Sequence, residues 1–177
     1  MSIQPRKDKP GPNHSPIFSD TKIEGVVLMN SPFVEYLGDN LLTELYRPEW
    51  AGVFAAGEPI EHLYTVKAPS GGTRKEWYYH EETVDRYMIL SGQLDMGLFD
   101  GRPDSKTYGV FEVIALEEPG GTRPNAVRIP PLVWHSLNWK SSHGMFMTAK
   151  IPGFQTSGPD KFRVSVEDLP DAIDWPK

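Results

Sequence analysis

Two stretches of the chain concentrate residues able to do acid–base chemistry, hold a metal ion or grip a flat ligand. Residues 72–92 read GTRKEWYYHEETVDRYMILSG, and residues 127–139 read VRIPPLVWHSLNW. Each carries one histidine, His80 and His135. Imidazole titrates close to neutral pH, so it serves as general base, general acid or metal ligand. Asp85 lies close enough in sequence to hold His80 in one tautomer. His80, Asp85 and His135 also form a two-histidine, one-carboxylate set, which suits iron, manganese or zinc. Tyr78, Tyr79, Trp134 and Trp139 surround them, the lining expected of a cleft that stacks flat rings. Arg74, Lys75 and Arg86 place three cations beside these aromatics in a chain of net charge −6, which points to a small anionic ligand. His14, His62 and His143 have no such context and are read as exposed or locally bonded.

Positioning these groups requires β-structure. If residues 77–80 are extended, Tyr78 and His80 share a face, and His135, Leu137 and Trp139 share another. Strand signals cover residues 23–29, 62–67, 110–116, 126–129, 135–139 and 145–151. Residues 41–46, LLTELY, fit a strand or a short helix equally. Residues 86–100 read as a hairpin turning at Ser91-Gly92, with Leu94, Met96 and Leu98 alternating against Asp95, Gly97 and Phe99. Frequent glycines and prolines leave little room for long helices, so the expected fold is all-β, a sandwich, jelly roll or barrel. Ser165, Glu167 and Asp168 mark one short helical start, which Pro170 limits. Ser105 and Thr107 are read as turn residues.

At 177 residues a single domain is expected, with residues 1–20 as a proline-rich arm and 21–177 as the folded unit. The acidic balance argues against nucleic acid as partner. No apolar run is long enough for a transmembrane helix or signal peptide, so no membrane is expected and the cytoplasm is the default location. The chain has no cysteine, hence no thiolate ligand or nucleophile.

The two segments resemble the paired motifs of the cupins, the double-stranded β-helix or jelly-roll barrels. Tyr78-X-His80, Asp85 and Gly92 follow the spacing of the first motif, with Tyr78 in place of its leading histidine. Pro130 through His135 follow the second, with Leu132 in place of its glycine. A narrower resemblance, over most of residues 23–175, is to the dTDP-4-dehydrorhamnose 3,5-epimerases and dTDP-sugar isomerases. It is carried by KEWYYHEETVDRYMILSG, LFDGRPDSKTYG, RIPPLVWHS, PDKFR and DAIDW. It implies a homodimer, a metal-free mechanism without cofactor, and a nucleotide-sugar ligand. In that family a histidine base aligns with Tyr78, and a tyrosine acid lies on the strand that here reads MFMTAKI, which has none. A diphosphate-binding arginine is Lys75 here, with Arg74 adjacent. His135 matches a pocket histidine.

The leading expectation is a nucleotide-sugar epimerase or ketoisomerase that removes a proton next to a carbonyl. His80 is then the base, Asp85 its orienter, and Tyr78 or Tyr79 a donor to the enolate. His135, Arg74 and Lys75 would meet the diphosphate, and Trp134 or Trp139 would stack on a ring. The alternatives are a metal-dependent cupin using His80, Asp85 and His135, and a non-catalytic sugar-binding cupin.

Overall fold

Along Gln93–Asp100 every second side chain is apolar, and Leu94, Met96 and Leu98 are completely buried. That period of two recurs in most of the strands and builds a two-sheet sandwich. The computed structural model describes residues 16–31, 33–36, 40–47, 50, 59–74, 76–153, 157–158, 160–171 and 173–176. The strands are β1 Ile17–Asp20, β2 Val27–Asn30, β3 Phe33–Tyr36, β4 Asn40–Thr43, β5 His62–Ala68, β6 Gly72–Thr73 and β7 Glu76–Tyr79. They continue with β8 Val84–Ser91, β9 Gln93–Asp100, β10 Phe111–Glu117, β11 Ala126–Ile129, β12 Val133–Trp139, β13 Gly144–Ile151 and β14 Phe162–Ser165. One sheet runs β1-β2-β11-β8-β13-β5, and the facing sheet runs β10-β9-β12-β7-β14 with β6 beside β12. A β3-β4 ribbon stands apart. This is the jelly-roll cupin fold.

The main core fills the space between the sheets, with Ile89, Val127, Ile129 and Phe146 from one side and Leu94, Met96, Leu98, Leu137 and Trp139 from the other. Each sheet also buries its outer face. Met29, Met88, Ala126 and Ala149 pack with Trp50 behind the first sheet, and Trp77, Phe99, Val166 and Trp175 pack behind the second.

Three sequence expectations change. Residues 86–100 are not a hairpin: β8 pairs with β11 and β13, while β9 pairs with β10 and β12. Gly92, at φ 86°, is the corner where the chain leaves one sheet for the other. A side chain there would collide with Ser141 and the His143 carbonyl. Both strands are apolar on both faces, so each is better placed in the middle of its own sheet than on one half-solvated ribbon. The strand expected from residue 23 begins at Val27, because Gly25 turns the chain at φ 79° and Ile23 and Val26 plug the core from that turn. Residues 17–20, expected in the arm, form β1 against β2; residues 1–15 lie outside the described residues.

The 41–46 segment takes the strand alternative only as far as Thr43. The short helix near the C-terminus is a single 3-10 turn, Val166–Asp168, capped by Ser165. Ser105 and Thr107 are turn residues, both donating to the buried Asp100 carboxylate, at 2.7 and 2.6 Å. No helix among the described residues is long and apolar enough to cross a membrane.

Gly97 is the tightest point behind the second sheet. A Cβ there would lie 2.7 Å from the Trp77 ring and 2.8 Å from the Trp175 ring. Overpacking such a site costs about 1–3 kcal/mol. Gly97→Val should therefore lower the melting temperature by roughly 2–4 °C for each kcal/mol lost, read by calorimetry. An unchanged melting temperature would show that the Trp77–Trp175 layer is not close-packed.

Candidate active site

The register of the two sheets sets the site in rows. In the first sheet Lys150 of β13 lies opposite Asp85 of β8 on one side and His62 of β5 on the other. One step along, Thr148 lies between Tyr87 and Tyr64. In the second sheet His135 of β12 lies opposite Tyr78 of β7, which lies opposite Arg163 of β14. All face the gap between the sheets. His80 sits just past the end of β7 and reaches into the same space.

Asp85 is the centre. Its Oδ1 is 2.7 Å from the Lys150 ammonium, and its Oδ2 is 3.1 Å from His80 Nε2 and 3.5 Å from His135 Nε2. All four side chains are buried. Burial alone would raise the Asp85 carboxyl, but contact with His80 and the Lys150 charge override it and hold the group well below the usual carboxylate range. Burial pushes His135 down to about 4, so it is neutral at pH 7. Its Nδ1 donates to the Val133 carbonyl at 3.3 Å, and its Nε2 accepts the Tyr87 hydroxyl at 3.1 Å. Burial, then the nearby Asp85 charge, raises Tyr87 well above the ordinary phenol value and keeps it a donor.

His80 is held from outside the barrel. Its Nδ1 donates to the backbone carbonyl of Asp160, and its Nε2 lies 3.1 Å from both the Lys150 ammonium and the Asp85 carboxylate. The Asp160 carboxylate takes the backbone N–H groups of Glu81, Glu82 and Thr83 and the Thr83 hydroxyl, at 2.8 to 3.0 Å. One residue thus fixes both the imidazole and the loop that carries it.

A cavity of about 270 Å³ opens beside this cluster, lined by His62, Tyr64, His80, Lys150 and Lys161. Its mouth is cationic. Lys161 Nζ lies 4.1 Å from the Tyr78 ring centroid, and the Arg163 guanidinium lies 5.8 Å from it. The Arg74 charge also reaches Tyr78 and Lys161. Burial and then the Lys150 charge lower the Lys161 ammonium against the opposing pull of Asp85, and Glu76 lies 3.8 Å from the Arg163 guanidinium. Tyr78 donates to Glu76 at 2.7 Å; burial and that bond raise its hydroxyl, so it is no base at neutral pH.

The structure brings His80, Asp85, His135, Tyr78 and Arg74 together. It places four other expected residues elsewhere, because side chains alternate across a strand. Tyr79 stacks on Trp134 at 5.4 Å and on Phe162 at 4.9 Å, outside the second sheet. Arg86, between Asp85 and Tyr87, is buried on the outer side of the first. Trp139 faces inward but packs on Phe146 in the core, one full turn of pleats beyond His135. Lys75 lies outside the described residues. His62, set aside in the sequence, is on the cavity wall. Lys150, Lys161, Arg163, Tyr64 and Asp160 were missed. Lys150 had a signal, since it is the only charge on the apolar strand GMFMTAKI.

His80, Asp85 and His135 offer ligand atoms within 4.8 Å of one another, the make-up of a metal triad. They do not fit a metal as arranged, because the Lys150 ammonium already contacts both Asp85 and His80.

No family model matches the chain. A probable low-salt glycan biosynthesis epimerase from Haloferax volcanii is 24% identical over 136 residues, covering 76% of this chain and 83% of that protein. Among solved structures, a dTDP-4-dehydrorhamnose 3,5-epimerase from Bacillus anthracis, with TDP and pyrophosphate bound, superposes with a TM-score of 0.76 at 14% identity, over 92% of this chain and 91% of that one. A 4-keto-6-deoxy sugar epimerase of the novobiocin cluster of Streptomyces spheroides gives 0.75 at 16%, over 100% and 84%. A dTDP sugar isomerase from Desulfovibrio desulfuricans gives 0.70 at 16%, over 88% and 92%. These likenesses establish the shared fold.

Neutral His135 has a consequence for stability. Folded, it takes a proton only below about pH 4, whereas unfolded it does so near 6.5. The unfolded chain therefore binds more protons across that window, and stability rises with pH through it. The contribution is on the order of 3 kcal/mol. His135→Gln should remove this part of the slope in urea unfolding between pH 4 and 6.5; parallel slopes for the two proteins would mean that His135 is not held neutral.

Proposed function

We propose that the protein is an epimerase or ketoisomerase of nucleotide-activated 4-keto-6-deoxy sugars of the dTDP type. The observation that carries this reading is His80: an imidazole fixed through Nδ1, with its Nε2 lone pair beside a buried carboxylate and on the wall of a cavity with a cationic rim. That is the equipment for removing a proton next to a carbonyl from a substrate that arrives with a phosphate tail. Lys161, Arg163 and Arg74 supply charge for the diphosphate at the mouth. Asp85 supports the imidazolium that forms on His80, and Asp160 keeps the ring from rotating. Tyr78 serves as rim and hydrogen-bond donor. The Streptomyces 4-keto-6-deoxy sugar epimerase and the Bacillus dTDP-4-dehydrorhamnose 3,5-epimerase share this fold, which favours this chemistry over the metal-dependent and purely binding alternatives. The reaction is balanced within the substrate. The C–H electron pair becomes a C=C bond, the carbonyl pair moves onto oxygen, and a proton returns to carbon from the other face or at the neighbouring carbon.

The exposed apolar residues Ile17, Phe18 and Leu63 lie on β1 and β5, the two edges of the first sheet. They support a homodimer joined through an edge of that sheet. Light scattering should report twice the chain mass at micromolar concentration, and a monomer there would rule this assembly out.

The activity is tested by proton NMR in deuterium oxide with dTDP-4-keto-6-deoxyglucose. Wild type should wash deuterium into the carbon next to the carbonyl. His80→Asn should slow this by about 100- to 10,000-fold, and Tyr78→Phe by much less. Wild-type binding of dTDP sugars without exchange would make the protein a binding module, and a strong defect in Tyr78→Phe alone would move the base to that residue.

A further inference from the structure

The Lys150 ammonium occupies the position that a two-histidine, one-carboxylate set would give to a metal ion. It is 2.7 Å from Asp85 and 3.1 Å from His80, and Asp85 in turn is 3.5 Å from His135. The Asp85 carboxylate is matched one to one by the Lys150 ammonium at 2.7 Å. A divalent ion added to the same buried set would leave excess positive charge without a counterion. An ammonium also has three donors. One meets His80, the ammonium as a whole lies 2.7 Å from Asp85 as an ion pair, and Lys150 also lines the cavity.

We propose that Lys150 is the electrophile of this site, a built-in ammonium that does for the substrate's keto oxygen what a metal does in a metal-dependent cupin. The inference rests on the keto-sugar reading above and adds the residue that holds the oxygen. The carbonyl oxygen takes a Lys150 N–H and competes with His80 for it. The Nε2 lone pair so released removes the proton from the adjacent carbon. The carbonyl π pair moves onto oxygen, beside the ammonium, as the C–H pair forms the enolate double bond. Charge is conserved in the buried cluster, since one imidazolium and one enolate appear together. Hydrogen-bond donors aimed at the developing oxyanion act strongly in so dry a site.

Two measurements test this. In the deuterium exchange assay, Lys150→Met should lose at least about 100-fold in kcat with little change in KM, the size expected for one oxyanion donor. Lys150→Arg should recover part of it. Because Lys150→Met leaves the Asp85 charge unpaired, Asp85→Asn/Lys150→Met, which removes both charges, is run beside it, with circular dichroism as the folding control. It should be equally inactive. Exchange in Lys150→Met within threefold of wild type would overturn the proposal. The second measurement needs no sugar. Lys150→Ala should bind one cobalt(II) ion with the visible absorption of a nitrogen–oxygen site, while wild type and His135→Gln/Lys150→Ala should not. Cobalt binding by wild type at His80, Asp85 and His135 would overturn the claim that Lys150 holds the metal position. If wild type shows no exchange with any nucleotide keto-sugar, the functional reading fails, and the cobalt titration still decides whether the ammonium stands in for a metal.

Discussion

A buried ion pair between Asp85 and Lys150 organises the interior of this protein. Two opposite charges on adjacent strands, with both side chains directed between the sheets, can be tolerated only when each satisfies the other and further hydrogen bonds complete the set. That requirement fixes the register of β8 against β13, because a slip of one residue in either strand would turn its charge to the outer face and leave the other buried and unpaired. His80 and His135 then have a charged pair to pack against, and the cavity beside them has a polar floor in an otherwise apolar barrel.

The rest of the site depends on reach into that interior from several parts of the chain. Asp160 comes from the segment before β14 and clamps His80 and the loop after β7. Lys161 and Arg163 follow at once, so the strand edge that fixes the imidazole also supplies charge at the rim. Tyr87 satisfies His135 from the opposite sheet. Position and electrostatics are therefore set by the same few backbone pairings.

Much of this was legible in the sequence. The period-two apolar pattern marked β9 to β13, and the motif spacing joined His80, Asp85 and His135. Alternation along a strand also decides where its aromatic residues point. Tyr79 and Trp134 each neighbour a site residue and for that reason point the other way, into the layer with Phe162. The β8–β9 hairpin looked convincing because Ser-Gly between two apolar runs is a turn signal. Local signals do not say whether the chain turns within a sheet or between two, and here the burial of both faces decided it. One lysine on an apolar strand carries no motif, and only the pairing of β13 with β8 shows that the partner of Lys150 is Asp85. Lys161 and Asp160 were read as a family fingerprint, and their roles follow from a contact across 80 positions.

Those long sequence separations bear on how the molecule comes to be active. Asp85 and Lys150 come from strands far apart in the chain, and His80 and Asp160 are further apart still. Pairings of this kind close large loops and form slowly compared with local structure. A local pairing such as β9 with β10 holds none of the catalytic groups, and no hairpin joins Asp85 to Lys150. The chemistry therefore arrives only when the second sheet has received its last strand, and a partly folded chain carries an open barrel whose charged residues are hydrated and inert.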